Sequence, residues 1–257
     1  MQSSFEYARP LDVNSVDECI FYHSYDLPES GYVRGHWDLR GRFDDYINGE
    51  SLDGKRVLDV GTASGFLSFE AEKGGAEVVS FDAESAAVWD RIPFPKHNAA
   101  EERRIWVAGA NDYLTKWKRS CWLAHREFRS KNKIAYGNVY DIPAELGMFD
   151  TVIVGQILVH LRDMLGALSS IARRCSKTMI IAEGMIDNDA PISTFLGRAD
   201  NPSDDFSFWH HSTGLYIELM QIMGFRLRSK TVGAFTCNVM GLTPRDIDIT
   251  TLIFDRR

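Results

Sequence analysis

Between residues 56 and 82 a strand, a glycine-bracketed turn, a helix and a second strand ending in an acid follow one another, and no other feature restricts the chain as much. The run is Arg56-Val57-Leu58-Asp59-Val60-Gly61-Thr62-Ala63-Ser64-Gly65, with Asp82 seventeen residues beyond Gly65. Val57, Leu58 and Val60 suit a parallel strand buried on both faces. Gly61 and Gly65 turn the chain and let backbone N–H groups approach a ligand, because no Cβ intervenes. Phe66 to Lys73 has helical spacing, and Gly74-Gly75 stops it. Glu77 to Asp82 reads as the next strand and delivers a carboxylate at its end, the edge where open α/β sheets bind ligands and where an acid suits the two hydroxyls of a ribose.

Two ligand classes use this layout. A dinucleotide fingerprint has three glycines so that a pyrophosphate can rest on the helix N-terminus. Here Asp59 stands two residues before the first glycine, and Ala63 takes the place of the middle one. A carboxylate there repels a pyrophosphate and favours an ammonium or sulfonium group, which points to S-adenosylmethionine. The segment resembles the first motif of class I S-adenosylmethionine-dependent methyltransferases, Asp/Glu-x-Gly-x-Gly-x-Gly, matched as Asp59, Gly61, Ala63 and Gly65 with one departure at Ala63. The resemblance extends to Gly137 through Pro143 at the adenine-contacting stretch, to Phe149–Val154 as fourth strand and to Lys177–Glu183 as fifth. It implies a doubly wound, mostly parallel seven-stranded sheet of the Rossmann-like methyltransferase type. It also implies a cofactor site drawn from Asp59, Gly61, Thr62, Ala63, Gly65, Asp82, Ala83, Asn138, Val139, Gly155 and Gln156, with S-adenosylhomocysteine as product.

At 257 residues and 44% hydrophobic content the chain is long enough for one sizeable α/β core and too short for a second full domain beside it. We expect a lid over residues 1–50 and the methyltransferase domain over 51–257, with an insertion at about 91–132. No apolar run reaches membrane-span length, and the start Met1-Gln2-Ser3-Ser4 lacks a signal pattern, so a cytoplasmic protein is expected. Cys19, Cys121, Cys175 and Cys237 are widely spaced, which suits reduced buried thiols rather than zinc ligands or disulfides.

The net charge of −7 argues against broad capture of nucleic acid, although one basic stretch stands out. Lys116, Lys118, Arg119, Arg126, Arg129, Lys131 and Lys133 oppose the single acid Glu127, while Leu114, Trp117, Cys121, Ala124 and Phe128 recur at helical spacing. This is an amphipathic helix, its basic face either solvated or a clamp for an anionic substrate. Leu161 to Cys175 marks the helix after the fourth strand, and Ser212 caps a helix from Thr213 to Met223. Phe225–Ser229 and Thr250–Phe254 supply the last strands, which the resemblance implies form an antiparallel edge hairpin.

Residues 21–40 are dense in aromatic, imidazole and guanidinium groups without a clear period, as binding loops often are. The spacing from Trp37 to Asp59, with Tyr22-His23-Ser24 before it, resembles a subgroup of class I enzymes that includes tRNA wobble-uridine carboxymethyltransferases and relatives acting on sugars and small molecules. There the pre-core segment folds over the cofactor, which implies that Trp37 and Arg40 help hold it; the alternative is a cover that packs Trp37 on the sheet.

Methyl transfer to a hydroxyl needs the acceptor positioned and its proton removed. His160, after the fourth strand, suits that work or supports the loop; His23 and His210 are further candidates, with Glu183, Trp209 and His211 as substrate contacts. Asp187 and Asp189 resemble a metal-dependent arrangement, but the fourth strand lacks the matching acid, so magnesium is not favoured. The expected reaction is O-methylation of a small-molecule or saccharide hydroxyl in specialised metabolism. tRNA modification and a non-catalytic cofactor-binding regulator are the alternatives.

Overall fold

In the computed structural model, residues 5–94, 100–201, 205–238 and 243–257 are described. Residues 1–4 of the expected lid and 95–99 of the expected insertion lie outside them. From the N-terminus the elements are β1 (Tyr25–Leu27), β2 (Gly31–Val33), β3 (Trp37–Asp38), α1 (Phe43–Tyr46), β4 (Arg56–Val60), α2 (Phe66–Lys73), β5 (Glu77–Ala83), α3 (Ala100–Glu127) and β6 (Lys133–Gly137). There follow β7 (Phe149–Gly155), α4 (Met164–Ala172), β8 (Cys175–Glu183), β9 (Ser193–Phe195), β10 (Trp209–His211), α5 (Thr213–Ile222), β11 (Phe225–Cys237) and β12 (Arg245–Arg256).

The main sheet has the order β3-β11-β12-β8-β7-β4-β5-β6. Its β8-β7-β4-β5-β6 block is parallel, whereas β12, β11 and β3 run antiparallel. The seven expected strands are therefore present, and two residues of the N-terminal segment add an eighth. Alternation of side chains along each strand sorts the core into two layers. Val57, Val78, Ile134, Ile153 and Ile180 face α1, α2, α3 and the N-terminal segment. Leu58, Val79, Ala135, Val152 and Met179 face α4 and α5. Ser212 caps α5 as its sequence predicts, its hydroxyl accepting from Leu215 N–H at 3.1 Å.

Three expectations change in detail. The helix inferred from 116–133 is the 28-residue α3, and it is itself the crossover between β5 and β6. Only its second half carries fully buried apolar residues (Leu114, Cys121, Leu123, Ala124), so the added length lies on the amino-terminal side. The edge hairpin is also far longer than two five-residue strands, because Lys230 to Ala234 has little apolar signal yet pairs residue by residue with β12. Thirdly, residues 5–50 share one apolar cluster with α2 and α3 through Val13, Phe21, Tyr25, Leu27, Leu39 and Tyr46.

The basic face of α3 explains that docking. Arg119 pairs with Glu18 at 2.7 Å and Arg126 donates to the Val13 carbonyl, whereas Lys118 turns away from residues 5–50, donating to the Glu84 carbonyl and lying over the Tyr136 ring. Glu127, at the helix end, accepts from Glu29 N–H at 2.9 Å, Ser30 N–H at 3.0 Å and the Ser30 hydroxyl at 2.5 Å, which pins the β1–β2 turn. Among the described residues no helix is long and apolar enough to cross a membrane. Removing the acceptor from a buried site should cost about 1–3 kcal/mol. Glu127→Ala is thus expected to lower the urea midpoint and speed proteolytic cleavage between Leu27 and Val33; unchanged cleavage there would contradict the tether.

Candidate active site

Backbone geometry makes the turn after β4. Gly61 and Gly65 have φ of +80° and +89°, and a Cβ at Gly65 would meet Phe69 at 2.6 Å and Cys121 at 2.9 Å. Ala63 sits at φ +49°, the left-handed region that costs a non-glycine residue about 1 kcal/mol. Asp82 holds it there: one carboxylate oxygen accepts from Ala63 N–H at 2.6 Å and the other from Ala83 N–H at 2.6 Å. Burial raises the Asp82 pKa, opposed by these two bonds. Each oxygen keeps acceptor capacity for a second donor.

Asp59 lies one strand over and is 1% exposed. Its Oδ2 accepts from the hydroxyls of Thr62 at 2.8 Å and Ser68 at 2.7 Å, while Oδ1 is buried with no hydrogen-bond partner. Burial pushes its pKa up to about 6. A buried carboxylate oxygen without a donor is an acceptor waiting for one.

The N-terminal segment closes over this turn through Ser64. His23 N–H donates to Ser64 Oγ at 2.9 Å, the His23 ring Nδ1 meets the same hydroxyl at 3.2 Å, and the Tyr25 hydroxyl donates to the Ser64 carbonyl at 2.5 Å. Burial, aided by nearby His36, lowers the His23 pKa to about 3, so the imidazole is neutral and poorly suited to taking a proton. Tyr22, His23, Trp37, Leu39 and Tyr46 line one wall of a pocket whose other wall is Gly61, Leu67, Gly155 and Gln156. Trp37 is thus both a pocket wall and a sheet residue, since β3 pairs it with Cys237.

The far side of the mouth is built by Glu183. Its carboxylate is buried at the end of β8 and accepts from Leu158 N–H at 2.7 Å, with Ile157 and Val159 N–H also turned to it. It therefore shapes the turn carrying Gln156 to His160, which corrects the expectation of Glu183 as a substrate contact. Burial raises its pKa to about 8 against the lowering effect of these N–H groups. His160 is exposed and its Nδ1–H donates to the Phe206 carbonyl at 3.1 Å, which puts the lone pair on Nε2. The segment before α5 is stitched to the same turn: Phe208 N–H donates to Val159 and the Trp209 indole donates to Arg162, at 2.9 and 3.1 Å.

The structure therefore brings Trp37, Asp59, Gly61, Thr62, Ala63, Gly65, Asp82, Ala83, Gly155, Gln156, His160 and Trp209 to the carboxyl edge of the parallel strands. Asn138 is there too, capping the turn that holds Val139. Arg40 is not at the pocket: it is held by Asp38 at 2.8–2.9 Å and Asp26 at 2.7 Å and covers the Tyr32 ring. His211 turns inward, bonded to Ser193 at 2.9 Å and packed on Tyr216; burial lowers its pKa to about 4, whereas His210 beside it is half-buried. Asp187 accepts from Lys230, and among the described residues no cluster of three His, Cys, Asp or Glu side chains is placed to hold a metal. The four thiols are unbridged. Sequence reasoning missed Ser64, Leu39, Tyr46 and Leu67; Ser64 sits at a variable position of the turn motif, and the other three carry only the signal of ordinary core residues.

No protein-family model matches the chain. It is 36% identical over 61 residues to the ribosomal protein L11 methyltransferase of Wolinella succinogenes, a match covering 24% of this chain and 22% of that protein. A Bacillus halodurans C-125 protein assigned as a methyltransferase superposes with a TM-score of 0.52 at 15% identity, over 84% of this chain and 98% of that one. The N-terminal domain of EvdMO1, crystallised with S-adenosylhomocysteine and D-fucose, gives 0.50 at 12% identity over 94% and 93%. The chain has the Rossmann-like methyltransferase fold.

Glu183 generates a stability prediction. Between its ordinary value of 4.5 and about 8 the folded protein holds a proton that the unfolded chain releases, so stability falls as pH rises through that window. Glu183→Gln should flatten the decline in urea midpoint from about pH 7 to pH 9, where ordinary histidines no longer titrate. Equal slopes in the two proteins would contradict the assignment.

Proposed function

We propose that the chain is an S-adenosylmethionine-dependent methyltransferase that methylates a hydroxyl group of a small molecule. The observation that carries this reading is the pair of acids at the ends of β4 and β5: Asp59 with a buried oxygen lacking a donor, and Asp82 with both oxygens half-satisfied on the turn backbone. Two carboxylates beside a glycine-bracketed turn repel a pyrophosphate, whereas a ribose and an amino-acid ammonium supply the donors they lack.

Asp82 would accept from the ribose hydroxyls, and the Asn138–Val139 turn would flank the adenine. Asp59 would serve the ammonium end, directly or through water. Trp37 and Tyr22 line the pocket wall and would be the aromatic groups to meet a sulfonium. When bound, S-adenosylmethionine would supply an electrophilic methyl group, whose carbon bonds to the hydroxyl oxygen as the C–S electron pair leaves on sulfur to give S-adenosylhomocysteine. His160, held through its ring Nδ1 by the Phe206 carbonyl, would take the hydroxyl proton. The partners already engaged by Lys118, Arg119 and Arg126 remove the main support for a tRNA acceptor, so the likeness of the N-terminal segment to the wobble-uridine enzymes is read as a shared way of covering the cofactor.

Asp82→Ala should weaken S-adenosylhomocysteine binding by about 1.5–3 kcal/mol, roughly 10- to 150-fold, in calorimetry. Unchanged affinity would refute the site. His160→Ala should lower turnover about 10²-fold with cofactor affinity intact, and a normal rate at saturating acceptor would reduce it to loop support.

A further inference from the structure

A row of half-buried aromatic rings, drawn from four separate parts of the chain, leads away from the pocket wall at Tyr22 and belongs to neither core cluster. Tyr22, on the pocket wall, meets Trp117 of α3 at 5.3 Å between centroids. Trp117 meets Tyr113 at 4.8 Å and Trp89 at 6.1 Å. Trp89 meets Trp106 at 6.5 Å and Phe206 at 5.8 Å, and Trp106 meets Phe206 at 5.7 Å. The row thus starts beside Gly155 and Gln156 and ends at the residue whose carbonyl holds His160. Six large rings left half out of the core give up part of the stabilisation that full burial would bring, and grouping them at a ligand-binding edge points to a ligand.

Neighbouring charges narrow the class. Arg91 is paired with Asp205 and stacked at 4.0 Å on Trp106, and Asp90 is taken up by the Tyr140 hydroxyl and by Arg162 N–H at 2.9 Å. The polar side chains beside the rings bond one another, and the rings are set at 40–82° to their neighbours around Phe206, so the surface they offer is chiefly aromatic. Tilted rings of this kind take a flat guest by stacking and edge contacts.

We propose that this row is the acceptor subsite and that the acceptor is a planar aromatic or heteroaromatic compound bearing the hydroxyl; this rests on the methyltransferase reading and specifies its substrate class. The test uses protein saturated with S-adenosylhomocysteine, titrated with 2-naphthol and, separately, with methyl β-D-glucoside. Expected is saturable binding of 2-naphthol, weakened at least about tenfold by Trp106→Ala and by Phe206→Leu while S-adenosylhomocysteine affinity stays unchanged, and no saturable binding of the glucoside. The proposal is overturned if 2-naphthol fails to bind or binds both variants as it binds wild type, or if the glucoside binds with the same sensitivity. A parallel loss of S-adenosylhomocysteine affinity in both variants also overturns it, because the rings would then serve the fold. Failure of the wild-type protein to bind S-adenosylhomocysteine refutes the methyltransferase reading itself.

Discussion

The hydrogen bond from Ala63 N–H to the Asp82 carboxylate fixes the turn on which the rest of the site depends. It spans the ends of two neighbouring parallel strands, so the turn is held from β5 although it is encoded after β4. Without it Ala63 would have little reason to stay left-handed, and the relation of Asp59, Ser64 and Gly65 to the cleft would loosen. The same carboxylate is the acid nearest the proposed ribose. One group thus supports the turn and presents the acceptor, which is why it sits at the carboxyl edge of the sheet rather than in solvent.

Around that turn the N-terminal segment and α3 form a second layer of support. Ser64 receives the segment from inside through His23 and Tyr25, and Glu127 receives its hairpin from outside through Glu29 and Ser30. Trp37 then reaches the pocket wall while its backbone extends the sheet edge. Arg119 and Arg126 of α3 act in this docking, their charge meeting Glu18 and the Val13 carbonyl. Glu183 does for the opposite wall what Asp82 does for the turn, gathering backbone N–H groups from Ile157 to Val159.

Much of this was readable from residues 56–82 because the relevant physics is local: apolar runs for strands, glycines for positive φ, an acid at a strand end. The Ser212 cap followed from the same logic, whereas the order of the later strands came from the resemblance to class I methyltransferases. Arg40 shows where that reading stops. Its guanidinium had two carboxylates within its own segment, at Asp26 and Asp38, and nothing in the spacing told whether they or a ligand would claim it. The role of Glu183 was hidden for a related reason, since an acid at a strand end looks the same whether it meets a ligand or a neighbouring loop's backbone. The reach of β11 was hidden because a sheet-edge strand needs no apolar run to pair.

The central claim is that the turn, Asp82 and the N-terminal cover jointly enclose S-adenosylmethionine. Amide hydrogen exchange with and without S-adenosylhomocysteine tests it most directly, because it reads every wall of the site at once. The account predicts added protection concentrated at residues 22–40, 61–68, 82–83, 137–140 and 155–157, with the edge hairpin of β11 and β12 unchanged. Protection confined to other segments, or none at saturating ligand, would contradict it.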